Sequence, residues 1–96
     1  MTFTEFEASL AQPAPPSDVD PLVRALWHER RGDWTPAHEI TQEIHSNDAS
    51  WVHAYLHRRE GDLSNARYWY RHAGKPPATG SLDDEWRVIV ETLLTR

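Results

Sequence analysis

Apolar positions along this chain recur every three to four residues. Ala37, Ile40, Thr41 and Ile44 share one face of a helix, and Ala66, Trp69, Tyr70 and Ala73 share another. Leu82, Trp86, Ile89, Val90 and Leu93 form a third stripe, which predicts a helix over about 82–95. Phe3, Phe6 and Leu10 fit a short amphipathic turn or two. The proline-rich "QPAPPSDVDP" that follows predicts an extended linker.

Helix punctuation falls between these stripes. Asp20 reads as an N-cap with Pro21 at the first helical position, where a missing N–H costs nothing. Gly32 ends that helix, because glycine accepts the left-handed conformation. Thr35 is expected to cap the next, with Pro36 at its first position. Asp48 or Ser50 is expected to open a third helix that runs to about Glu60, and Gly61 closes it. Leu63-Ser64 opens a fourth that ends at Ala73 before "GKPPATG". Ser81 with Asp84 fits a capping box at the start of a fifth.

Two stretches align when shifted by 29 residues. "LVRALWHERRGDWTPAHEI" (22–40) lies over "WVHAYLHRREGDLSNARYW" (51–69) with seven identities, among them His28 with His57, Gly32 with Gly61, Asp33 with Asp62 and Ala37 with Ala66. Each unit reads as helix, Gly-Asp turn, helix. The small alanine five residues after each glycine lets two helices approach closely.

These residues resemble the tetratricopeptide superfamily. Gly61, Asp62, Ala66, Tyr70 and Ala73 match the second half of that repeat, with Pro76-Pro77 in the place of its proline. The first unit matches through Gly32, Asp33 and Ala37, while Thr41 and Ile44 replace the aromatic and the second small residue. The resemblance covers roughly residues 20–77 and implies stacked helical hairpins with a peptide- or protein-binding surface. The chain departs from the pattern at His28 and His57, where the family has tyrosine, and at His53, where it has a large apolar residue.

Composition narrows the picture. Ninety-six residues make one domain with a small core, enlarged by five tryptophans. There is no cysteine, which excludes disulfides, thiol catalysis and zinc-thiolate sites. The net charge of −5 and the lack of a long basic run argue against nucleic acid. No stretch approaches the roughly 20 apolar residues of a membrane span, so a cytoplasmic protein is expected. Residues 21–80 hold all six histidines and eight of the ten bases. Nine of those ten bases are arginine, which favours bidentate recognition of carboxylate or phosphate.

Candidate chemistry concentrates in the second unit. His53, His57 and Glu60 sit at i, i+4 and i+7, so all three share a helix face that could hold zinc or ferrous iron. The same spacing fits the polar side of an amphipathic helix, or core histidines with hydrogen-bond partners. The matching face of the first unit carries Arg24, His28 and Arg31, which would repel a metal. Arg58, Arg67 and Arg71, interleaved with Tyr68, could grip an anionic group, or could be solvated surface. Trp34 could pack under the next hairpin or stay exposed at a contact surface. No catalytic residue is assigned. Serines suit caps and loops, and all four glycines punctuate turns rather than cradle a phosphate.

The expectation is therefore an all-α protein of two tetratricopeptide-like units, at about 21–46 and 49–74, with a capping helix at about 82–95. Residues 1–20 are expected to form an arm and linker outside the single domain 21–96. The expected role is non-enzymatic binding of a protein or peptide, an anionic one among the options, with no cofactor and with a homodimer as one route to stability. The alternative is a small enzyme or a ligand- or metal-binding protein using His53, His57, Arg58, Arg67, Tyr68 and Arg71 as one pocket.

Overall fold

Six helices and no strand make up the chain in the computed structural model, which describes residues 1–96. They are α1 (Phe3–Ser9), α2 (Pro21–Arg30), α3 (Trp34–Gln42), α4 (Asn47–Arg59), α5 (Leu63–Ala73) and α6 (Leu82–Leu94). The protein is all-α, and no helix is long and apolar enough to cross a membrane.

Helices α2 and α3 pair, as do α4 and α5, each pair joined by a Gly-Asp turn. The two turns have the same geometry. Gly32 and Gly61 take φ of 85° and 86°. Asp33 N–H reaches the His28 carbonyl at 2.9 Å, and Asp62 N–H reaches the His57 carbonyl at 2.9 Å. This six-to-one bond ties off otherwise free carbonyls at each helix end and needs a left-handed residue, which only glycine supplies cheaply.

Two helix starts differ from the sequence expectation. Helix α3 begins at Trp34 with Asp33 as N-cap, so Thr35 is already inside it and Pro36 sits in its first turn. The turn consumes only Arg31 to Asp33, and first-turn amides have no helical partner, so a proline there is tolerated. Helix α4 begins at Asn47, capped by Ser46, whose hydroxyl accepts from Ala49 N–H at 3.0 Å. Asp48 therefore lies in the first turn, and its carboxylate pairs with Arg96.

Side chains of α2, α4 and α6 fill the centre. Val23, Leu26, Val52, Tyr55, Leu56, Trp86, Ile89 and Val90 are fully or almost fully buried. Trp86 Nε1–H donates to the Leu26 carbonyl at 3.1 Å, which gives this buried indole a partner for its one polar atom. Helix α6 forms where its stripe predicts, but it packs on the first helix of both hairpins rather than capping the last hairpin alone.

Helix α1 lies on α6. Phe6 is completely buried and stacks on Trp86 at 5.9 Å, with Phe3 edge-on at 5.7 Å. Thr2 and Glu5 form a reciprocal capping box at its start. The end of α1 and the residues after it are held by Trp27 of α2 and its C-cap Arg31: Trp27 Nε1–H donates to the Ser9 carbonyl at 3.3 Å, and Arg31 donates to the carbonyls of Leu10 and Gln12.

Candidate functional site

Helix α4 is buried on nearly every side, because α3, α5, α2 and α6 all pack on it. Its residues Trp51 to His57 are all buried, and this includes two histidines. His53 and His57 are each only 7% exposed. They stand one turn apart with their rings stacked, centroids 4.9 Å apart.

A third histidine meets them from the other hairpin. His38 Nε2 on α3 lies 3.0 Å from His53 Nε2, so one imidazole donates to the other. His57 Nδ1 lies 2.6 Å from Glu60 Oε1 and donates to that carboxylate. Two tryptophans close the ends of this seam. Trp34 stacks on His38 at 4.5 Å, and Trp69 stacks on His53 at 4.0 Å. Burial holds the His53 imidazole down to about 4, reinforced by its neighbours His57 and His38. His38 is lowered for the same reasons, burial first and then His57. Both rings are therefore neutral at neutral pH, with lone pairs available.

The ring nitrogens of His38, His53 and His57 lie within 4.8 Å of one another, as do the donor atoms of His57, Glu60 and Asp62. Sequence reasoning found His53, His57 and Glu60 but not His38. The repeat alignment sets His38 over Arg67, so the internal repeat carried no hint of it. Only the packing of α3 on α4 brings His38 onto the α4 histidines, and no local sequence signal marks it.

The arginines and Tyr68 sit elsewhere. Arg58 turns toward α6, where it pairs with buried Glu85 at 2.9 Å and donates to the Gly80 carbonyl. Arg67 is exposed beside a small cleft shared with Arg58 and Pro77. Tyr68 and Arg71 are exposed on another face, near Ser64 and Asn65. The six predicted residues thus spread over three faces, and only His53 and His57 meet.

The largest hollow is a groove of about 600 Å³ beside the seam. The end of α3, the 44–46 corner, the first half of α4 and the end of α5 form its walls, with His45, Ser50, His53, Trp69 and His72 among them. None of the 11 lining residues is Asp or Glu. Comparison with family models, with curated proteins and with solved structures found no match to this chain.

Proposed function

We propose that this chain is a tetratricopeptide-like, non-enzymatic binding module whose groove takes an anionic segment of a protein or peptide partner. The observation that carries this reading is the absence of carboxylates from the groove. The chain has 15 acids against 10 bases, yet the walls of its largest hollow hold none of the acids. They hold three imidazoles, the hydroxyls of Ser46 and Ser50, and Asn47 and Ala49 from the first turn of α4, whose Asp48 is outside the lining and pairs with Arg96. Such walls offer hydrogen-bond donors with no carboxylate among them, and the nearest one, Asp48, is paired with Arg96. The family part of the reading is supported by the repeated hairpin, with equal glycine torsions and equal cap bonds in both units.

Titration of isotope-labelled protein with a short Glu-rich peptide, and separately with a Lys-rich one, tests the proposal. The Glu-rich peptide is expected to move the amide signals of residues 45–50, Trp69 and His72, and the Lys-rich peptide is not. His72→Glu is expected to abolish the response. Equal responses to both peptides, or shifts scattered away from the groove, reject it.

A further inference from the structure

We propose that His38, His53 and His57 bind one divalent transition-metal ion of the zinc class, with Glu60 orienting His57 from outside the coordination shell. This site is separate from the groove proposal and does not rest on it, although His53 borders both.

Geometry carries the argument. A zinc ion bonded to nitrogen at about 2.0–2.1 Å in tetrahedral geometry holds its ligand nitrogens about 3.3 Å apart. The His38 and His53 nitrogens are 3.0 Å apart, close to this value, and one ring nitrogen from each of the three histidines lies within 4.8 Å of the others. Binding requires the ring that donates across the His38–His53 contact to carry its hydrogen on Nδ1 instead, which frees both Nε2 lone pairs. His57 donates its Nδ1 hydrogen to Glu60, which leaves the lone pair on Nε2 for a metal. A carboxylate behind a ligating imidazole is the usual support of a histidine–metal bond. The stacked Trp34 and Trp69 rings restrict how far His38 and His53 can turn away.

The donor set fixes the class of ion. Three imidazoles and no thiolate suit zinc, cobalt, nickel or copper, whereas calcium and magnesium require oxygen ligands. A shared proton accounts for the His38–His53 contact alone. It gives no role to a third imidazole held beside the pair by its own carboxylate. The ligands also come from both hairpins, His38 from the first and the other two from the second. Binding therefore staples the two units, and the ion stabilises the folded chain.

The test is titration of the chelator-treated, full-length protein with cobalt(II) and then zinc. One equivalent of cobalt is expected to give the visible absorption of a low-coordinate site, and zinc is expected to displace it and raise the melting temperature. His38→Ala is expected to weaken binding at least a hundredfold, and Glu60→Gln by about tenfold to a hundredfold. His45→Ala and His72→Ala, on the groove wall, are expected to bind metal as the natural chain does. They therefore separate failure of this site from failure of the groove. Circular dichroism reports whether each variant folds. If His38→Ala does not fold, X-ray absorption on the zinc-loaded natural chain decides by counting imidazoles. Three support the site and fewer overturn it. No binding by millimolar zinc, or unchanged binding in folded His38→Ala, also overturns it.

Discussion

Tyr55 donates its phenolic hydrogen to Glu29 Oε2 at 3.0 Å, linking the first helices of the two hairpins inside the core. The other carboxylate oxygen of Glu29 faces Arg59 Nε at 3.3 Å, a contact close enough for ion pairing but poorly aligned as a hydrogen bond. A parallel cluster joins α5 to α6, where Tyr70 donates to Glu85 Oε2 at 2.5 Å and Arg58 to its other oxygen. Each buried carboxylate is thus answered by one tyrosine and one arginine, which offsets the cost of taking its charge out of water.

Burial raises the Glu29 carboxyl above its ordinary range, against the opposing hydrogen bond from Tyr55 and the charge of Arg59. A raised carboxyl pKa in the folded state means that Glu29 contributes fully below its unfolded value of 4.5 and costs stability as pH rises through the folded value. Tyr55→Phe removes the bond that favours the charged form, so the folded pKa climbs further. The variant is expected to lose about 1–3 kcal/mol near pH 8 and clearly less near pH 4.5. Urea denaturation at both pH values checks this, and equal losses contradict it.

Gly32 and Gly61 have left-handed torsions, yet a Cβ at either would meet nothing within 4 Å. The cost of adding one is therefore the backbone cost alone. Gly32→Ala and Gly61→Ala are each expected to destabilise by about 1–2 kcal/mol, and by similar amounts. Gly80 takes no such torsion, and Gly80→Ala is expected to have little effect on thermal or chemical unfolding. A large difference between the two turn variants would mean that the units do not share one turn.

Those glycines were legible in the sequence because the turn is local. The same holds for the Asp20 and Ser81 caps, which accept from Leu22 and Asp84 N–H, and for the α6 stripe of Trp86, Ile89, Val90 and Leu93. Contacts between helices were not legible. His38 follows the buried Ala37, and its contact with His53 exists only once α3 packs on α4. Arg58 read as an anion-gripping or solvated residue because its partner, Glu85, is 27 residues away in the chain, and the Arg59–Glu29 pair, 30 residues apart, left no sign at all. Phe6 read as part of an arm because nothing near it in sequence names Trp86 as the surface it covers.

Trp34 carries a cost that a substitution can remove. Its ring stacks on His38, but its Nε1–H is buried and has no hydrogen-bond partner. Trp34→Phe keeps an aromatic face on His38 and deletes the unpaired donor. The lost ring area and the relieved donor oppose each other, and an unmet buried donor costs about 1–3 kcal/mol. The variant is expected to be as stable as the natural chain or slightly more stable in urea denaturation. A loss above about 2 kcal/mol would show that ring area outweighs the donor here.

Phe6 is the residue through which α1 holds the fold. It is completely buried between α1 and the Trp86 ring, and the only other aromatic of α1, Phe3, is half-buried. A seven-residue helix is too short to persist without packing, so its structure depends on this contact. Phe6→Ala is expected to cost about 2–4 kcal/mol. The loss has a ceiling, because once α1 detaches no further interaction remains to be lost. Deleting residues 1–12 is therefore expected to cost little more than Phe6→Ala alone. Hydrogen exchange reads the detachment directly. The amides of Phe6, Leu10, Ala11 and Gln12, which bond within this segment, are expected to lose protection in Phe6→Ala while those of α4 keep it. Retained protection in the segment would show that the bonds from Arg31 and Trp27, rather than Phe6, hold α1 in place.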